Sequence, residues 1–221
     1  MTTTTCPPLA DRITKSLLGY GVIAGPIYVV AVAAQAATRD GFDPTRHAAS
    51  QLANGDLGWL QIATFLVTGL MTVAAAVGIR RALGVGRSSA WASGLIGGFG
   101  VGLVAAGFFR ADPSDGFPPG TPAGMGEPSW HGILHFAVAG VGFICLVAAC
   151  FVFAARLARN GESGWAWFSR GTGGLFAVSF VALSSGAGGP AAILLFTAAV
   201  ALAWAWLTAV SVKLYGAVGL T

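Results

Sequence analysis

The chain is dominated by apolar runs of about twenty residues or more that are almost free of charge, and this constrains its fold more than any motif does. Coiled as a helix, such a run spans the roughly 30 Å hydrocarbon core of a bilayer. Only 9% of residues are charged and 55% are hydrophobic. A soluble domain, whose surface faces water, carries about a quarter charged residues. The expected fold is therefore all-α: a polytopic integral membrane bundle of six transmembrane helices.

The spans are expected at about 16–38, 57–83, 88–109, 130–157, 164–185 and 190–215, as one domain between a cytoplasmic tail, 1–15, and a second tail, 216–221. Gly25-Pro26 marks a kink in the first span, of a kind membranes tolerate. The end of that span, Val32 to Ala37, resembles a signal-peptidase site, and cleavage there would leave five spans. The apolar stretch is long for a signal peptide, so the six-span reading is kept. Cys145 and Cys150 lie five residues apart in one run and point to different faces, and Cys6 lies in the tail, so no disulfide is expected.

Orientation follows from the basic residues. With the N-terminus inside, cytoplasmic segments hold Arg12, Lys15, Arg80, Arg81, Arg87, Arg156, Arg159, Arg170 and Lys213, nine of the twelve. Outer segments hold Arg39, Arg46 and Arg110, together with Asp40, Asp43, Asp56, Asp112, Asp115 and Glu127, six of the eight acids. This is a positive-inside pattern that places both termini in the cytoplasm and the long loops outside a plasma membrane. The formal charge of +4 forms no basic patch, so nucleic acid is not an expected partner. Membrane lipids are. Gly94, Gly98 and Gly102 form a small-residue ladder on the third span. It serves either packing within the chain or a homo-oligomer.

Two outer connections are longer than packing needs. In the first, Asp43-Pro44 is a helix start and Gly55 a stop, which predicts a short interfacial helix over 45–54. On that helix His47, Ser50 and Gln51 share a face. The second, Arg110 to Ser129, contains five prolines and reads as a restricted cap. His131 and His135 follow it at helical i, i+4 spacing, a geometry in which one helix turn offers two imidazoles to a metal. His47 is the third histidine of the chain and falls on the same side. Two readings stand: a shared metal site, or interfacial histidines bonded to carbonyls or water. Haem is a third, although one iron cannot readily take both His131 and His135 axially.

Several motifs carry a family resemblance. Asp-Pro-x-Arg-His-x-x-Ser (Asp43 to Ser50) precedes Gly-Trp-x-Gln (Gly58 to Gln61). Asp-Pro-x-x-Gly-Phe-Pro-Pro-Gly-Thr-Pro (Asp112 to Pro122) and His-Gly-x-x-His (His131 to His135) follow. Together they resemble the bacterial membrane family known as domain of unknown function 998, which implies six spans and no particular activity. The histidine constellation is also similar to that of the alkaline ceramidase and adiponectin-receptor superfamily. That likeness implies zinc held by His47, His131 and His135, with Ser50 and Asp112 beside it. This chain departs from the superfamily in having two further spans after His135 and a different His47–Ser50 spacing.

Bound so, zinc would bring the pKa of its water toward about 7. Asp112 would act as general base or orient a ligand, and Ser50 would hydrogen-bond the polarised carbonyl. The substrate would be a lipid amide or ester from the outer leaflet. Against this stand plainer roles: Asp112 in an Asp-Pro loop beside Arg110, and Ser50 as packing. The rival class is a scaffold, sensor or transporter. Polar groups within the spans are few (Gln35, Gln61, Thr64, Thr68, Ser179, Thr197) and none is charged at mid-depth, which argues against ion transport.

Overall fold

The computed structural model describes residues 8–124, 126–186 and 189–219. Residues 1–7 with Cys6, Met125, residues 187–188 of the last turn and the final two residues lie outside that set. Six long helices carry the described chain: α1 Leu9–Thr38, α2 Gly58–Leu83, α3 Arg87–Phe108, α4 Trp130–Arg159, α5 Ser163–Ser184 and α6 Gly189–Ala217. All but α5 are long and apolar enough to cross a membrane. The first half of α5 holds Arg170 about two turns in, among Ser169, Gly171, Thr172, Gly173 and Gly174, and this lowers its mean hydropathy. α1 begins seven residues before the expected span, because the polar turn with Asp11, Arg12 and Lys15 continues the same helix. Helix formation needs only backbone pairing; hydropathy marks where lipid begins, not where coiling does.

Each helix packs on its neighbour in sequence, and α6 closes back on α1, so the bundle is a ring of six. With no hydrophobic drive between helices in lipid, close approach depends on small residues. The α3 ladder is used in this way inside the chain. A side chain at Gly102 would meet the Gly142 Cα of α4 at 2.8 Å, and one at Gly98 would meet Cys145 Sγ at 2.9 Å, whereas Gly94 faces open space. The α1–α6 seam is closed by Gly21 and Gly25 against Ser211, Thr208 and Trp204. Pro26 has no N–H to give the Val22 carbonyl, and Thr208 Oγ1 of α6 donates to that oxygen instead, at 3.3 Å. Buried hydroxyls are satisfied locally: Thr64, Thr68 and Thr72 each donate to the carbonyl four residues back. Trp206 Nε1 of α6 donates to Ser169 Oγ of α5 at 2.9 Å.

One end of the ring is basic. There Arg81 Nε donates to Thr14 Oγ1 at 2.9 Å, Arg156 to Ser88 Oγ at 3.1 Å, and Lys213 pairs with Glu162. The other end carries both long loops, 39–57 and 109–129, packed on each other as one cap.

The interfacial helix expected over 45–54 is not formed as such. The segment contains a turn at 44–46 and a five-residue 3-10 helix, Ala49–Ala53. Asp43 does not cap a helix; its Oδ1 accepts from Thr45 N at 2.8 Å and Thr45 Oγ1 at 2.7 Å. Side-chain bonds of this kind offer the backbone an alternative to helix. Contacts with the second loop then fix the non-helical path.

Candidate functional site

The cap is built around His47, which is 2% exposed. Its Nδ1 accepts from the Asp43 backbone N–H at 2.9 Å, and its Nε2 donates to the Asp115 carbonyl at 3.2 Å. The first bond fixes the tautomer that makes the second possible. His47 thus clips the two loops together. Gln51 adds a bond to Ser114 Oγ at 2.5 Å, and Asn54 one to the Ala111 carbonyl at 3.0 Å. Phe117 packs edge-on to Phe42, with ring centroids 5.3 Å apart. Arg39 lies 5.4 Å over the same Phe117 ring while donating to the Leu52 and Asn54 carbonyls. Asp115, whose carbonyl His47 holds, has φ of 53°, a left-handed conformation that its place in a clipped turn sustains.

The Thr45 hydroxyl and then the Thr45 N–H hold the Asp43 carboxyl below its ordinary range. A carboxyl depressed in the folded state stabilises above its unfolded value and loses that contribution as pH falls through the folded one. Amide protection at 45–47, taken relative to the intrinsic exchange rate at each pH, should therefore be high near neutrality and fall in acid, below the ordinary carboxylate range. Asp43→Asn should flatten that dependence; an unchanged profile would remove Asp43 as the cause.

His135 lies below the cap, in the second turn of α4, and is 7% exposed. Its Nδ1 donates to the Phe109 carbonyl at 2.6 Å and lies 3.3 Å from the Ala106 carbonyl. These are C-terminal carbonyls of α3, which no further helical N–H can satisfy. With the proton fixed on Nδ1, Nε2 carries a lone pair. His131 has a different setting: its ring lies 3.6 Å from that of Trp130 and 6.2 Å from that of Phe109, and its Nδ1 is buried without a partner.

Asp112 anchors the start of α4. Its Oδ2 accepts from Ser129 N at 2.9 Å and its Oδ1 from Ser129 Oγ at 2.5 Å, while Ser129 Oγ caps the helix by accepting from Gly132 N at 3.1 Å. Ser129 is the helix-start signal of this region, a serine directly before an apolar run. Gln35 Nε2 and Gln61 Oε1 share a buried 2.9 Å bond beneath the cap, leaving Gln35 Oε1 and Gln61 Nε2 without partners.

The proposed zinc ligands do not assemble. Both nitrogens of His47 are committed to backbone groups, and so is Nδ1 of His135. Among the described residues no group of three or more His, Cys, Asp or Glu is placed to hold a metal ion.

The ring does enclose a cavity of about 750 Å³, within the range of small-molecule sites. Every helix contributes to its wall, for example through Tyr28, Phe65, Phe99, His135, Phe176 and Trp204. The cap closes one end with His47, Ser50, Gln51 and Asp112. The wall is therefore aromatic and aliphatic, with its polar groups gathered near the cap.

A family model described as protein of unknown function (DUF998) matches residues 22–213, from near the middle of α1 to the last turns of α6. The chain belongs to the DUF998 family. Every residue that lines the cavity falls within this match. No curated protein and no solved structure matches the chain. The likeness to ceramidases and adiponectin receptors rests on the histidine pattern alone.

Proposed function

We propose that this chain is a six-span plasma-membrane protein that binds a lipid-like molecule in its central cavity. The reading rests on one observation: an apolar cavity reaching from the cap into the bundle, with all six helices in its wall. In this reading α5 completes the sixth span, with Arg170, 5.0 Å over the Trp167 ring, directed toward the basic end. The basic end faces the cytoplasm and the capped end lies outside. The short 3-10 helix then sits at the outer interface. Entry is sideways from the outer leaflet. Val29 and Ala33 of α1 and Thr197 and Ala201 of α6 line the cavity and are also exposed, whereas the same two helices are sealed at Gly21 and Gly25 nearer the basic end.

Ala139 lines the cavity one turn beyond His135. Protein purified in mild detergent should retain about one lipid-like molecule and bind a fluorescent alkyl probe. Ala139→Phe should reduce both at least tenfold without lowering the melting midpoint. Equal binding by the two proteins would end the cavity reading. Ser50→Cys should react with an impermeant thiol reagent from outside intact cells and Ser88→Cys only from inside; the reverse would invert the topology.

A further inference from the structure

Resting on the cavity reading above, we infer that the site selects long-chain molecules whose head group donates a hydrogen bond and carries no negative charge. The α3 carbonyls of Phe109 and Ala106 accept from His135 Nδ1, so in the neutral imidazole the other nitrogen can only accept. The other tautomer would point a lone pair at two carbonyl oxygens, and turning the ring over would offer them only a C–H. His135 lines the cavity, and among the described residues its ring bonds are made by Nδ1 alone, which leaves Nε2 for whatever enters. An O–H or N–H head meets an acceptor there. A deprotonated acid meets only repulsion.

The charges point the same way. Asp112 lines the cavity on the same side, and among the described residues no lysine or arginine contributes to the wall. An anionic head would have to shed its water beside a carboxylate with no cation to compensate, which is costly in an apolar site. The N-terminus of α4 would ordinarily attract an anion. Here Asp112 and the Ser129 hydroxyl already occupy it. Over the cap the acids Asp40, Asp43, Asp56, Asp112, Asp115 and Glu127 outnumber Arg39, Arg46 and Arg110. Of these arginines, Arg39 is tied to two carbonyls. The field at the mouth therefore favours neutral or cationic heads over anionic ones. An alcohol and an amine share the required chemistry.

The probes are 1-hexadecanol, hexadecylamine, hexadecanoate and hexadecyl phosphate, competed against a fluorescent alkyl reporter on the full chain in detergent at neutral pH. The alcohol and amine should bind about tenfold or more tighter than the two anions. His135→Phe should lower the alcohol's affinity about tenfold. Because that change also removes the bond to Phe109, Asp112→Asn provides a second variant, expected to narrow the gap between anionic and neutral probes. Anions binding as tightly as the alcohol, with Ala139→Phe still displacing all four, would overturn the selectivity and leave the cavity reading intact. No probe displaced by Ala139→Phe would overturn both.

Discussion

Gly102→Leu is expected to destabilise the bundle by about 3 kcal/mol, with a clear fall in the melting midpoint of the detergent-solubilised protein. At this crossing α3 and α4 touch backbone to backbone: a Cβ at Gly102 meets the Gly142 Cα at 2.8 Å and the Val138 carbonyl at 3.1 Å. Neither atom belongs to a flexible side chain that could swing aside, so accommodation requires the helices to separate. That separation loses dispersion contacts along the seam, the main source of helix association where lipid competes equally for apolar surface. Gly94→Leu is the matched control, because a Cβ there meets nothing within 4 Å. If the two substitutions lowered the midpoint equally, the seam could not be the cause.

The second large effect is at His47. Truncation to alanine removes a donor and an acceptor together, leaving the Asp43 N–H and the Asp115 carbonyl without the imidazole. Each such orphan costs about 1–3 kcal/mol when water cannot replace the partner. Partial hydration at the cap should bring the total to about 3 kcal/mol. Amide exchange should accelerate across both loops, 39–57 and 109–129, because the clip joins them. His47→Gln, which retains one donor and one acceptor, should restore part of the protection. A strong zinc chelator should leave the midpoint of the unaltered protein where it was, since both imidazole nitrogens serve the backbone. A chelator effect as large as that of His47→Ala would restore His47 as a metal ligand.

Legibility differed by element. The helical class followed from uncharged apolar runs, and the observed ends of α2 to α6 lie within about two residues of the expected spans. α1 starts seven residues before the expected span because Asp11, Arg12 and Lys15 look like tail to hydropathy but coil like helix. The Gly94, Gly98 and Gly102 ladder was visible; that two of its members serve α4 was not, because a small residue shows that something comes close without showing what. Asp43-Pro44 had the composition of a helix start, yet Thr45 captured the carboxylate and the second loop captured His47 and Gln51. Ser129, which caps α4, followed a recognisable rule. The Gln35–Gln61 pair, joining residues 26 positions apart, followed none.

Read alone, the sequence determined that the chain is an all-helical membrane bundle, that its basic residues gather at one end, and that its histidines fall near the other. Those properties depend on each residue's own preference for lipid or water, and a one-dimensional pattern records them. The tertiary structure decided what the histidines do. His47 meets a carbonyl 68 residues away and His135 one that is 26 away. A ring nitrogen donates or accepts according to the backbone group opposite it, and that group is set by the closing of the ring and the docking of two loops. Of the histidines whose spacing resembled a metal triad, His47 clips the cap and His135 donates to the end of α3.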